Sequence, residues 1–298
     1  MMGQISSQEN FRVLFQGAGL VVVGDSAESQ LLEFVRVASL PFDAEYSSLP
    51  ESRILPVTQS KEAYIRNLRK NLKIRKSVDD LVSAVNEVDL RFFAEYLSGE
   101  GSTSTLNSRQ SQSSEAVRAG QWAITIFNSY GFNASADQFQ NNYCPNIIAE
   151  KRGVVDPNTI VILGAHLDDR NAILNDANGR APGANDDGSG SAAILQIAKA
   201  IHDTGASFEF TLRLALWCGE EQGLVGSRNY AARAAARRDN ILGMYQADMI
   251  GYQAYDFPQA AFVNRYTNTG LTDFTKEIGA LYVPEIEQVE TSACCSGK

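Results

Sequence analysis

A chain of 298 residues is long enough for one or two domains with a sizeable core, and with 44% hydrophobic and 20% charged residues most of it is expected to fold. The formal net charge of −9 excludes a general nucleic-acid or anionic-membrane binder, because both reward basic surfaces. No stretch approaches the roughly 18–20 apolar residues of a spanning helix, so no membrane partner is expected.

Residues 1–60 hold two strand-like runs, 19–23 and 54–57, around a possible helix at 30–38. The start does not match a secretory signal: Glu9 precedes Arg12, and the apolar piece 19–24 is short. Between 61 and 76 lie Lys61, Arg66, Arg69, Lys70, Lys73, Arg75 and Lys76 against Glu62 alone, read in an acidic chain as a solvated helix face. Leu81, Val85, Val88, Phe92, Phe93 and Tyr96 recur at near-helical spacing and predict an amphipathic helix. The Gly/Ser/Thr-rich stretch 98–114 reads as a loop and places a boundary near residue 105.

Beyond it, 114–130 is predicted helical, with Ala116, Ala119, Trp122, Ala123, Ile126 and Phe127 on one side. Short apolar runs at 147–150, 159–164, 210–217 and 244–247 alternate with helical segments near 191–201, 227–235 and 271–281. That alternation predicts an α/β domain with a largely buried sheet, and no repeat is present. Cys144, Cys218, Cys294 and Cys295 match no metal spacing and are too few for a disulfide framework, so they read as small buried hydrophobes. A bridge between the adjacent Cys294 and Cys295 would be strained, which leaves a longer-range partner open. The sequon Asn133-Ala134-Ser135 is compatible with secretion.

Acidic residues gather at the ends of three predicted strands. The run 160–164 ends in Ala165-His166-Leu167-Asp168, the run 210–217 in Cys218-Gly219-Glu220-Glu221, and the run 244–247 in Asp248. Asp186-Asp187 sits in a Gly-rich loop, 181–190, that leads into a helix. Ligand sites of open α/β sheets lie at the carboxyl ends of strands. So many converging carboxylates would repel or take up protons unless a divalent cation accepted them, and one histidine among oxygens suits Zn²⁺. Alternation along an extended segment sends His166 and Asp168 to one face, where Asp168 can hold the imidazole. Each signal alone is an ordinary surface feature; their joint order is the informative part.

In that order the chain resembles the co-catalytic di-zinc aminopeptidases of the bacterial and fungal leucyl aminopeptidase type (clan MH metallopeptidases). The match lies in Gly164-Ala165-His166-Leu167-Asp168, the 181–190 loop, Gly219-Glu220-Glu221-Gln222-Gly223-Leu224-Val225-Gly226-Ser227, Asp248-Met249 and the 292–296 stretch. The resemblance implies a mixed, largely parallel sheet flanked by helices over 106–298, with 1–105 as an N-terminal extension or propeptide-like region. It implies a secreted enzyme acting on peptides with a free N-terminus; the expected oligomeric state, a monomer, does not rest on the resemblance. His166 and Asp248 would hold one zinc, Asp186 would bridge two, and Glu221 would hold the second. Asp168 would orient the imidazole, Glu220 would be the general base, and Met249 would line the pocket for the substrate's first side chain. A cis Asp186–Asp187 bond is also implied.

The family pattern continues past its cysteine-serine to an Ile-His-Thr-like motif that supplies the histidine paired with Glu221, whereas this sequence runs to Ser296-Gly297-Lys298. The expectation is therefore a C-terminally truncated domain, one zinc site short of its histidine, and impaired activity. His202, the only other histidine, falls within a predicted helix and reads as a helix-surface residue. Two alternatives remain: a glutaminyl cyclase-like enzyme with one zinc, and a catalytically inactive relative acting as a binding protein.

Overall fold

The computed structural model describes residues 12–16 and 19–23 (backbone only), 68–102, 104–253, 257–264 and 267–291. The helix expected at 30–38, the strand at 54–57 and the Cys294–Cys295 pair lie outside them. Strands β1 (Arg12–Gln16) and β2 (Gly19–Val23) pair antiparallel. Of the basic run, Arg69 is ion-paired, its Nε 2.9 Å from Glu277 Oε1.

The single helix expected through 81–96 is two helices, α1 (Lys76–Ser83) and α2 (Glu87–Ser98). Asn86 separates them: its backbone is extended, and its side chain accepts from the Asp89 amide, which starts a new helix rather than continuing the old one. Helix α3 (Ser114–Ser129) begins under a Ser113 cap and buries Ala116, Ala119, Ala123 and Phe127. Trp122 stacks on Tyr96 with ring centroids 3.9 Å apart, which joins α3 to α2.

Five strands, β3 (Asn133–Asp137), β4 (Asn146–Lys151), β5 (Asp156–His166), β6 (Phe210–Trp217) and β7 (Asn240–Gln246), form a sheet in the order β3-β4-β6-β5-β7. The β3–β4–β6 part is antiparallel and the β6–β5–β7 part parallel. Helix α4 (Gly188–Thr204) joins β5 to β6, and α5 (Val225–Arg237) joins β6 to β7. Strands β8 (Gln259–Val263) and β9 (Glu287–Thr291) make a separate parallel pair around α6 (Thr269–Tyr282).

Side chains along β5 alternate between two cores. Val161, Leu163 and Ala165 pack with Leu212, Leu214 and Leu216 of β6 and with Ile194, Leu195, Ala198 and Ile201 of α4. Ile160 and Ile162 pack with Ala215, Trp217, Tyr230 and Ala234 on the α5 side. Burial on both faces is why these strands read as continuous apolar runs. Since the helices after β5 and β6 cover opposite faces, a crevice opens between the two carboxyl ends, the usual ligand position of such sheets. His166 ends β5, Glu220 and Glu221 follow β6, and Asp248 follows β7.

Cys144 and Cys218 are not free thiols, contrary to the sequence reading. They form a disulfide with Cα atoms 5.8 Å apart, at a sequence separation of 74. The pairing of β4 with β6 brings the start of one strand to the end of the other, a neighbourhood that spacing along the chain cannot reveal. Removing a crosslink over so long a loop costs about 2–5 kcal/mol. Cys218→Ala, or reduction, is therefore expected to lower the urea midpoint clearly; an unchanged midpoint would show that the bridge does not stabilise the domain.

Asn133 of the sequon is exposed on the edge strand β3. His202 is exposed in the last turn of α4, its ring 5.6 Å from that of Tyr130. Among the described residues no helix is long and apolar enough to cross a membrane.

Candidate metal centre

Three ligand-bearing side chains meet at the sheet's carboxyl edge. His166 Nε2 lies 3.0 Å from Asp186 Oδ1 and 3.8 Å from Asp248 Oδ1, and one ligand atom from each residue lies within 4.8 Å of the others. Atoms coordinating one tetrahedral zinc sit about 3.3 Å apart, so small side-chain adjustments suffice to hold the ion.

His166 is fixed on every side. Its amide donates to Asp187 Oδ2 (3.0 Å), its carbonyl accepts from Ser191 Oγ (2.7 Å), and its Nδ1 meets the Asp168 carbonyl at 2.9 Å. Burial, the largest influence, pushes the imidazole pKa down, but contacts with Asp168, Asp186 and Asp248 outweigh it and hold the ring well above 6.5. In turn, the hydrogen bond from His166 keeps the Asp186 carboxyl below its ordinary range.

The 181–190 loop delivers Asp186 and Asp187 through close backbone approaches. Gly183 has φ +42°, and a Cβ there would lie 2.2 Å from the Asp186 carbonyl oxygen; at Gly190 it would lie 2.4 Å from Asp187 Oδ1. The Asp186–Asp187 bond is cis. Asp187 is fully buried, and its Oδ1 accepts from Gly190 N (2.9 Å) at the start of α4 and from Met249 N (3.2 Å) beside Asp248. Through these bonds it ties β5, α4 and the end of β7 together.

The Asp168 carboxylate has two sets of partners. Its Oδ1 is 3.8 Å from His166 Nδ1, and Oδ1 and Oδ2 accept the amides of Glu220 (3.1 Å) and Glu221 (3.3 Å). The Asp168 backbone carbonyl also meets the imidazole, and the side chain links the end of β6 to the end of β5. Glu220 is pushed up to about 7 by burial, and Glu221 to about 8 by burial and then by the Asp186 charge. Glu221 lies outside the three-residue cluster, next to Arg170, whose Nε is 3.8 Å from its Oε2. Glu221 Oε1 is buried without a hydrogen-bond partner, an arrangement that would fit a cation's ligand. Met249 sits beside the cluster with φ +52° and is 37% exposed.

The sequence profile of peptidase family M28 matches residues 146–296, just over half of the chain. The chain belongs to peptidase family M28. A probable leucine aminopeptidase of Trichophyton verrucosum is 31% identical to this M28 chain over 204 residues, 64% of this chain and 52% of the relative. The chain thus spans about half the length of the curated relatives it matches. Among solved structures, LapA of Legionella pneumophila has the same fold (TM-score 0.66, 20% identity, covering 76% of this chain and 61% of LapA). So does a glutaminyl cyclase of Bacteroides thetaiotaomicron (TM-score 0.53, 16% identity, covering 70% of this chain and 77% of that one).

Two residues of the M28 site were not singled out from sequence for what they do here: Asp187 as a three-way tie, and Arg109, buried behind the 181–190 loop. The first was visible only as a neighbour of Asp186. For the second no signal existed, because Asn107-Ser108-Arg109-Gln110 reads as an ordinary polar loop.

Proposed function

We propose that this chain is a zinc-dependent aminopeptidase that removes N-terminal residues from peptides, as the names of its M28 relatives suggest. The observation that carries the reading is the convergence of His166, Asp186 and Asp248 beside two buried glutamates. Zinc bound there would lower the pKa of a water and polarise the scissile carbonyl. Glu220 takes the proton of the attacking water on its carboxylate and returns it to the leaving amine. The surrounding carboxylates hold the substrate's free α-ammonium, which favours cleavage at chain ends. Glu221 and Asp186 offer a second cation two carboxylates, and no imidazole of this chain joins them, since His202 lies on the far end of α4. A disulfide between Cys144 and Cys218 supports an oxidising, secreted setting.

The test is a zinc count on the purified chain and hydrolysis of leucine p-nitroanilide with and without chelator. Chelator-sensitive hydrolysis is expected; a folded chain that binds no zinc defeats the reading. A single three-ligand cluster among the described residues also suits a one-metal glutaminyl cyclase. Cyclisation of an N-terminal glutamine peptide, with no hydrolysis of the anilide, would favour that second reading.

A further inference from the structure

Arg109 is fully buried, yet none of its side-chain hydrogen bonds goes to a carboxylate. Nε donates to the Leu167 carbonyl (2.8 Å), Nη1 to the carbonyls of Leu97 (2.6 Å) and Pro182, and Nη2 to that of Gly183 (2.9 Å). Leu167 stands between His166 and Asp168, and Gly183 stands three residues before Asp186. Gly188 N also donates to Gly183 O (2.8 Å), which closes the loop around Asp186. The backbone repeats the pattern, with Arg109 N donating to Ala181 O (2.9 Å) and Asp169 N donating to Arg109 O (3.0 Å).

One rigid fork thus spans the two segments that carry the metal ligands and anchors both to the end of α2. A buried cation is costly unless something compensates it. Here the compensation is a ring of carbonyls together with the nearby charges of Asp168, Asp169, Asp186 and Asp187.

Resting on the metal-centre reading, we propose that Arg109 is a positioning residue: it sets the distance between the His166–Asp168 segment and the Asp186 loop, and so presets the ligands for the ion. Lysine cannot replace it, since a single ammonium cannot reach three segments at once. Such supports of ligands typically change metal affinity 10- to 100-fold.

The experiment compares Arg109→Lys and Arg109→Met with Leu81→Ala, a buried site on α1 that destabilises without touching the loops. Zinc affinity of the folded protein is measured by chelator competition, and the visible spectrum of the Co²⁺-loaded protein reports ligand geometry. Arg109→Lys should weaken zinc by about 10- to 100-fold and shift the cobalt bands. Leu81→Ala should lower stability and leave both readouts in place. A folded Arg109→Lys or Arg109→Met chain with wild-type affinity and spectrum overturns the proposal. So does failure of both Arg109 variants to fold, which would assign the residue to the core alone. A wild-type chain that binds no zinc would instead remove the metal-centre reading itself.

Discussion

Glu220→Gln should lower turnover of leucine p-nitroanilide by about 100- to 10,000-fold while zinc affinity stays within about threefold, the range expected when one general base is lost. Two observations support the proposed role of Glu220 as the base. It is not among the three residues that cluster, and burial lifts its carboxyl to about 7, where a group both takes and returns a proton efficiently at neutral pH. Its amide is pinned to Asp168, so the substitution should leave the backbone in place. Undiminished turnover would exclude Glu220 from proton transfer, and a lost zinc would put it among the ligands.

The second large effect concerns pH and metal removal. Burial raises Asp169 to about 6, Glu220 to about 7 and Glu221 to about 8. A carboxyl whose pKa is higher in the folded chain contributes stability that is full below the unfolded value, about 4.5, and is lost as pH climbs through the folded value. The metal-free protein should therefore weaken between about pH 5 and pH 8. Glu221 alone, moved from 4.5 to about 8, accounts for on the order of 5 kcal/mol. Zinc requires ionised ligands, so its binding should release protons near pH 7 and stabilise the chain more at pH 8 than at pH 6. Melting curves across this range, with and without chelator, and calorimetry in two buffers of different ionisation enthalpy measure both effects. Glu221→Gln should flatten the slope. A metal-free chain that gains stability from pH 5 to pH 8 would contradict the assignment.

The strands around the centre were legible because burial on both faces leaves an unbroken apolar run, and each run is followed within a few residues by an acidic one. The break between α1 and α2 was not, since the apolar spacing continues across Asn86 and only the cap distinguishes an ending from a continuation. Alternation placed His166 and Asp168 on one face, and the Asp168 carboxylate lies 3.8 Å from the ring. What alternation did not show is that the same carboxylate also accepts the amides of Glu220 and Glu221 at the end of β6. Arg109 and the Cys144–Cys218 bridge depend on residues many positions away, and no local pattern records them.

The order of the strands also has a kinetic consequence. His166 and Asp248 belong to strands that are neighbours in space but are separated in sequence by α4, β6 and α5. No fragment that stops before β7 contains the three-ligand cluster, so the ion cannot template early folding as it does in a zinc finger, where the ligands are local. The sheet must first find its own non-local pairing with the charges still uncompensated. A zinc ion held by the proposed cluster would then meet a finished frame, and would act as a lock on the native state and not as its nucleus.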